Sequence, residues 1–476
     1  MKSIWAQYPI CPRDGLHGDL KTEIAVIGAG MAGILTAHLL QRAGHRVIVL
    51  DAGRIAGGQT CNTTAKITAQ HGLIYQKLRA EQGEENARAF AAANSEAIGA
   101  YRQIVEQEQI GCDFEEQNAY VYGTDLPALK AETETACQLG LPASFADHVP
   151  LPVCAAGAVC FSAQAQFHPL KFIAALAEHL EIYENTPVRT VEDMLLQTDG
   201  GTVHAEHIVF ACHYPFINFP GMYFARMHQE RSYVLALEHA ADVRGMWIGA
   251  EQNGYSFRNY GKLLLLGGEG HRTGENSRGG RYGALERKAR EWFPESRVAA
   301  RWSAQDCMTA DGMPYIGRYA DTRPNWYVAT GFGKWGMTGS MVSALLLRDL
   351  ICGTENPYVT LFDPGRFDLS VLDGVAAEGG QAVKGLVRRL FRLPEETARE
   401  IPAGHGGIVL LDGEKVGVYK EKDGTLHTVD IRCPHLGCQL EWNPDEISWD
   451  CPCHGSRFDF RGALLSGPAQ ENISHG

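Results

Sequence analysis

Two short boxes combine cysteine and histidine: Cys433-Pro434-His435-Leu436-Gly437-Cys438 and Cys451-Pro452-Cys453-His454-Gly455-Ser456. Read as ligands, they give Cys433-x-His435, fifteen intervening residues, then Cys451-x-x-His454. Two thiolates on one iron and two imidazoles on the other make the mixed-ligand form of a [2Fe–2S] centre. Gly437 and Gly455 let each short loop turn its Cys and His toward one point. A Cys2His2 set also suits structural zinc. Zinc fingers, however, pair Cys with Cys and His with His, whereas each half here supplies one of each. The residues point to single-electron transfer, and the rest of the chain must supply or receive those electrons.

A second chemistry-bearing pattern lies near the start. Glu23-Ile24-Ala25-Val26-Ile27 reads as a strand and runs into Gly28-Ala29-Gly30-Met31-Ala32-Gly33. A helix pattern follows, then an apolar strand, Val47–Leu50, ending in Asp51, eighteen positions after Gly33. Strand, GxGxxG, helix, strand and acid is the dinucleotide-binding arrangement. Gly28 makes the turn, Gly30 admits the pyrophosphate, Gly33 lets helix pack on strand, and the helix N-terminus faces the phosphates.

The elements that must position these groups follow from periodicity. Glu81–Ala100 and Pro169–Leu180 read as helices. Asn118–Tyr122, Ala158–Phe161, Thr186–Val191, His207–Ala211, Tyr233–Leu237 and Lys262–Leu266 read as strands. Trp326–Thr330 is a strand leading into Gly331-Phe332-Gly333-Lys334-Trp335-Gly336, followed by a helix over Thr338–Ile351. This second GxGxxG has no completed βαβ unit, and Asp349 falls inside the helix pattern. The alternative is that it returns to the first nucleotide site and covers a flavin ring. Its helix N-terminus, near Gly336-Met337-Thr338, then favours negative charge at the N1/C2=O edge. From residue 353 to 397 the chain reads as a linker. Within it, residues 383–392 form an amphipathic helix, either a connector docked on a neighbour or a peripheral membrane contact. Short strands and Gly turns after Ile408 suggest a small all-β domain.

The chain has 476 residues, 45% hydrophobic and 21% charged, with a net charge of −13. This is a globular composition for two or three domains, and its acidity excludes nucleic acid as a partner. No apolar run is long enough for a transmembrane segment, and the first residues lack a signal pattern, so a cytoplasmic location is expected. Residues 1–20 read as a loose lead-in. Of thirteen cysteines, nine are scattered singly, which is no secreted disulfide framework.

Residues 21–352 resemble the FAD-dependent oxidoreductases of the D-amino-acid oxidase type, which include glycine and sarcosine oxidases. The resemblance rests on Gly28–Gly33 with Asp51, Gly57-Gly58-Gln59-Thr60, Thr186-Pro187-Val188, Ala211, Asp311–Gly317 and Tyr327–Thr338. It implies an α/β FAD-binding Rossmann-like domain with an interleaved α+β substrate domain. The FAD-binding parts fall at about 21–80, 151–225 and 300–352, and the substrate parts at about 81–150 and 226–299. By resemblance, Gly28, Gly30, Gly33, Asp51, Arg54, Val188 and Ala211 hold the nucleotide. Thr63, Thr64, Gly331, Gly333, Gly336, Met337 and Thr338 lie at the ring, with Lys66, His71 and Lys334 as catalytic candidates. Some relatives attach FAD through a histidine after the Gly57 stretch, where this chain has Cys61 and Asn62. Others use a cysteine in the C-terminal flavin segment, and Cys307 lies outside that motif, so FAD is expected to be noncovalent.

Residues 398–476 resemble the Rieske domain of cytochrome bc-type complexes. The resemblance implies a small all-β fold, a Cys438–Cys453 disulfide between the cluster loops, and a cluster-directed hydroxyl at Ser456. Phe458 stands where that group carries a potential-raising tyrosine. Together the halves read as a FAD-dependent dehydrogenase. It would oxidise a small amine or amino-acid-like molecule and pass electrons singly through the cluster to an external one-electron carrier or acceptor. Two alternatives are a flavin reductase fed through the cluster and a non-enzymatic redox module. A Rieske oxygenase needs a 2-His-1-carboxylate iron site, expected after the cluster domain, where only about twenty residues follow. Arg231, Tyr233, Arg258, His271 and Trp335 are available for a substrate pocket.

Overall fold

A computed structural model describes residues 2–366, 401–411 and 413–473. The amphipathic stretch at 383–392 lies outside the described residues.

The β-branched run at Leu20–Ile27 is the centre of an eight-stranded sheet. It pairs in parallel with Val47–Leu50 on one side and Gly201–Phe210 on the other. Trp326–Thr330 and Glu181–Tyr183 extend the parallel array outward. Parallel strands need both faces covered. Helices Met31–Arg42 and Gly336–Ile351 pack side by side and bury Leu35, Leu40, Leu346 and Leu347. At Gly33 an added Cβ would come within 1.8 Å of the Gly28 carbonyl oxygen, so no larger residue fits between helix and strand.

A second, nine-stranded sheet is mostly antiparallel and carries Lys66–Ile67, Glu115–Gly123, Gly157–Gln166, Met227–Glu238, Leu263–Arg272 and Arg297–Thr309 among its strands. The helix read at 81–100 spans Tyr75–Gln107, with Gly83 (φ 88°) interrupting its regular backbone. The boundaries expected at 151 and 300 fall short of this division. Gly157–Gln166 and Arg297–Thr309 both belong to the second sheet, because their partners lie there.

The lead-in is not loose. Trp5 is fully buried, donates its indole N–H to the Thr63 carbonyl at 2.7 Å and packs edge-on against Tyr260 and His168, which anchors the segment.

The C-terminal domain is all β. One sheet contains His405–Leu411, Glu414–Lys420 and Leu426–Asp430. The other contains Glu441–Asn443, Ser448–Asp450, Arg457–Asp459 and Leu464–Ser466. Trp449 and Phe458 face each other across the second sheet and are fully buried.

Candidate functional site

The glycine turn opens onto a cavity of about 640 Å³. Gly28, Gly30, Asp51, Val188 and Ala211 line one end. Thr63, Thr64, Lys66, Gly331, Gly333, Lys334, Gly336 and Met337 line the other. The Asp51 carboxylate accepts from the backbone N–H of Ala29 at 2.6 Å and of Gly53 at 2.7 Å. Burial raises its pKa, and those two bonds oppose the rise. A Cβ at Gly28 would sit 2.5 Å from the Ala211 carbonyl oxygen, so the turn keeps its backbone bare toward the cavity. Bare glycine backbone at a helix N-terminus, an acid at the next strand end and an elongated cavity fit a dinucleotide such as FAD.

Four expected residues do not line this cavity. Gly33 is packed beneath the turn, and Arg54 pairs with buried Glu184 at 2.7 Å. Thr338 donates its hydroxyl to the Thr68 carbonyl at 2.7 Å. His71 stacks on Trp335 with centroids 4.7 Å apart, and its Nε2 lies 2.9 Å from the same carbonyl. Burial pushes the His71 pKa down to about 3, so it is a neutral packing group.

The ring end carries the charge. Lys66 donates to the Trp247 carbonyl at 3.3 Å, and burial together with Arg258 lowers its pKa to about 7. Lys334 lies 3.4 Å from Glu230. The hydrogen bond from His228 and the charge of Lys334 bring Glu230 down to about 2. Asp306 lines the cavity as well, and burial pushes it up to about 6. Nothing in the sequence reading singled out Asp306. Of the pocket candidates, Tyr233 and Trp335 line the cavity. Arg258 is tied to the carbonyls of Thr64 and Ala65 at 2.7 and 2.8 Å. His271 bonds to Tyr233 at 3.0 Å and to the Arg272 carbonyl at 2.7 Å.

In the C-terminal domain the two boxes form paired loops. The Cys433 N–H donates to the Cys438 carbonyl, and the Cys451 N–H to the Ser456 carbonyl. The Nδ1 atoms of His435 and His454 converge to 3.2 Å. The buried thiols of Cys433 and Cys451 hydrogen-bond to each other. Two imidazole nitrogens brought together and two thiols brought together on the paired loops are the donor set a [2Fe–2S] centre of this type requires. A Cys438–Cys453 disulfide joins the loops, and the Ser456 hydroxyl hydrogen-bonds to Cys433.

The last two strands of the nine-stranded sheet, Met227–Glu238 and Arg297–Thr309, form a ribbon between cavity and cluster loops. Side chains alternate across a strand. Ser232, Ala304 and Asp306 face the cavity. The side chains of Gln229, Arg231 and Ser303 reach the other way, as does the amide of Gln305, a residue that also borders the cavity. Gln229 donates to the His454 carbonyl at 2.6 Å and Gln305 to the Gly455 carbonyl at 2.8 Å. Arg231 and Ser303 both bond Glu446, at 2.8 and 2.7 Å. Gly455 (φ 82°) comes so close that a Cβ there would be 2.7 Å from Gln229. The Leu464–Gln470 loop also lines the cavity, so both domains enclose it. The outer nitrogen of His435 is capped at 2.8 Å by the Asn218 side-chain oxygen.

The model of the FAD dependent oxidoreductase family matches residues 23–350, and that of the Rieske [2Fe-2S] domain matches residues 393–475. A Bacillus subtilis (strain 168) protein described as a Rieske 2Fe-2S iron-sulfur protein, YhfW, is 36% identical over 95% of this chain and 93% of its own length. Cytochrome b6-f complex iron-sulfur subunit 2 of Trichormus variabilis is 32% identical over 24% of this chain and 64% of its own. The structure of glycine oxidase from Geobacillus kaustophilus superposes with a TM-score of 0.62 at 19% identity, covering 73% of this chain and all of that one. At that identity the likeness shows the fold alone. No described helix is long and apolar enough to cross a membrane.

Proposed function

We propose, from the membership of this chain in the FAD-dependent oxidoreductase family, that it is a dehydrogenase for a small amine or amino-acid-like substrate. It hands electrons singly to its own Rieske cluster and from there to an external acceptor. The observation that carries this reading is the shared ribbon: the wall of the flavin cavity is hydrogen-bonded directly to the backbone of a cluster ligand. When bound, FAD supplies two-electron oxidation of a C–H bond and the cluster supplies a one-electron relay.

The chain's own residues do the positioning. The backbone from Gly28 to Gly30 and the start of the helix at Met31 receive the pyrophosphate, and Asp51 the ribose. Gly331–Met337 and Thr63–Lys66 border the ring. Lys66 and Lys334 are the amines there, and burial brings Lys66 to about 7, which suits proton exchange with a substrate. Gln229 and Gln305 fix the distance to His454. A built exit for electrons favours a dehydrogenase, since an oxidase would deliver both electrons to dioxygen at the flavin.

The test is anaerobic rapid mixing of the holoprotein with a panel of amines and amino acids. Bleaching of the flavin followed by reduction of the cluster is the expected order. Bleaching of flavin only after an external donor has reduced the cluster would reverse the direction. The absence of cluster reduction after complete flavin reduction would sink the relay.

A further inference from the structure

The cavity wall carries a carboxylate that, among the described residues, makes no ion pair and accepts no hydrogen bond. Asp51 accepts two backbone N–H bonds. Glu230, which faces the same side of the ribbon, is paired with Lys334 and with His228. Asp306 stands directly opposite Glu230 in the antiparallel register and lines the cavity. Among the described residues, no hydrogen bond or ion pair reaches its carboxylate. A carboxylate held out of bulk water is costly unless it is paired.

The positive groups nearby are already committed. Lys334 belongs to Glu230. Arg231, the arginine on this strand, turns to Gln305, Ser303 and Glu446 on the opposite face. Lys66 gives a hydrogen bond to the Trp247 carbonyl, and burial discourages its charge. At the cavity face of the ribbon, among the described residues, the site therefore offers an unpaired carboxylate, while Arg231 is spent on the opposite face.

We infer that the substrate binds as a cation, an alkyl- or arylammonium ion, and that Asp306 is the specificity-determining residue that pairs with it. A carboxylate on the substrate is not needed for recognition at this wall. Burial pushes the Asp306 carboxyl up to about 6, with Lys334 drawing it down and Glu230 raising it further. It is thus ionised in neutral and alkaline solution. The inference rests on the cavity being the flavin and substrate site, and is independent of the route electrons take afterwards.

The experiment uses oxidised holoprotein and two probes of matched shape and opposite charge, tert-butylammonium and pivalate. The ammonium probe has no hydrogen on the carbon next to nitrogen, so it binds without being oxidised. Each is titrated well above pH 6 while the flavin absorption band is followed. The expected result is that tert-butylammonium perturbs the band at lower concentration than pivalate. Asp306→Asn should weaken the ammonium probe about tenfold or more, the size of a charge-assisted bond, and Asp306→Glu should largely retain it. A tighter fit for pivalate, no perturbation by the ammonium probe, or an unchanged ammonium affinity in Asp306→Asn overturns the inference. Should Asp306→Asn lose its flavin, the order of the two probes on the unaltered protein decides. No outcome depends on cluster reduction, so failure of the relay and failure of this inference are separable.

Discussion

The two faces of the ribbon are built from the same strands yet are finished differently. On the cluster side the polar groups named above are densely bonded, with the Arg231 Nε left over. Glu446 alone receives Arg231, Arg457, Ser303 and the Tyr282 hydroxyl. On the cavity side, Asp306 has no hydrogen-bond or ion-pair partner among the described residues, and Lys66 bonds the Trp247 carbonyl. A fully bonded polar face holds a neighbour in one position. A face with unspent charge is arranged for a ligand that comes and goes. The contrast separates holding from binding within one pair of strands.

The strongest way to break this contrast is to leave the held side unsatisfied. Glu446→Ala removes the carboxylate that Arg231 and Arg457, both buried, share, leaving Arg231 with only neutral partners and Arg457 with Asp450. Losing one partner of a buried ionic network costs about 3–5 kcal/mol. The expected outcome is lower stability in denaturant and slower electron arrival at the cluster, with substrate reduction of the flavin little changed. Equal loss of both steps would show that the two faces are not independent.

Acid should reach the same side next. Burial pushes Glu446 up, but Arg231 and Arg457 bring it from an ordinary 4.5 to about 2. A carboxyl depressed in the folded state contributes stability above its unfolded pKa and loses it as pH falls through the folded value. Docking is therefore expected to persist near pH 4.5 and to fail progressively toward about 2. The protease sensitivity of the interface reads this directly.

A milder change sharpens the comparison. Gln229→Ala with Gln305→Ala removes the amides that hold the His454 and Gly455 carbonyls. Buried groups left unpaired cost roughly 1–3 kcal/mol each. Flavin-to-cluster transfer should slow, while tert-butylammonium affinity on the cavity side stays put. The smallest effect belongs to Phe458→Tyr. This substitution adds a hydroxyl beside the cluster loops and should raise the midpoint potential in a redox titration. A potential that does not rise would remove Phe458 from the set of tuning residues.

The cluster ligands and the nucleotide turn were legible in the sequence because both chemistries demand residue types at fixed short spacing. The ribbon was not legible. Its contacts to Gly455, Glu446 and His454 join residues 150 to 225 positions apart, and no local pattern encodes such pairings. Arg231 shows the limit well. It was available for the pocket by its charge, yet one position decides its face, and its neighbours Glu230 and Ser232 are the ones turned to the cavity side. His71 failed for a related reason. Lys66–Ile67 is a strand of only two residues, so its direction sets nothing for a residue past the following turn.

The register of the ribbon also limits how this protein can change over generations. Twelve successive partners, from Met227 with Thr309 to Glu238 with Arg297, are locked in alternation, with a single shift between Ala236 and Leu237. Point replacements can retune the ligand without disturbing the attached domain, because neighbouring codons address opposite sides. The deletion or insertion of one residue between 297 and 306 would instead exchange the sides at a stroke. The Asp306 side chain would then meet the cluster loops, and the Gln305 amide would leave the Gly455 carbonyl. New specificity in this lineage is thus expected to arise by substitution at the cavity-lining ribbon positions, with length held constant.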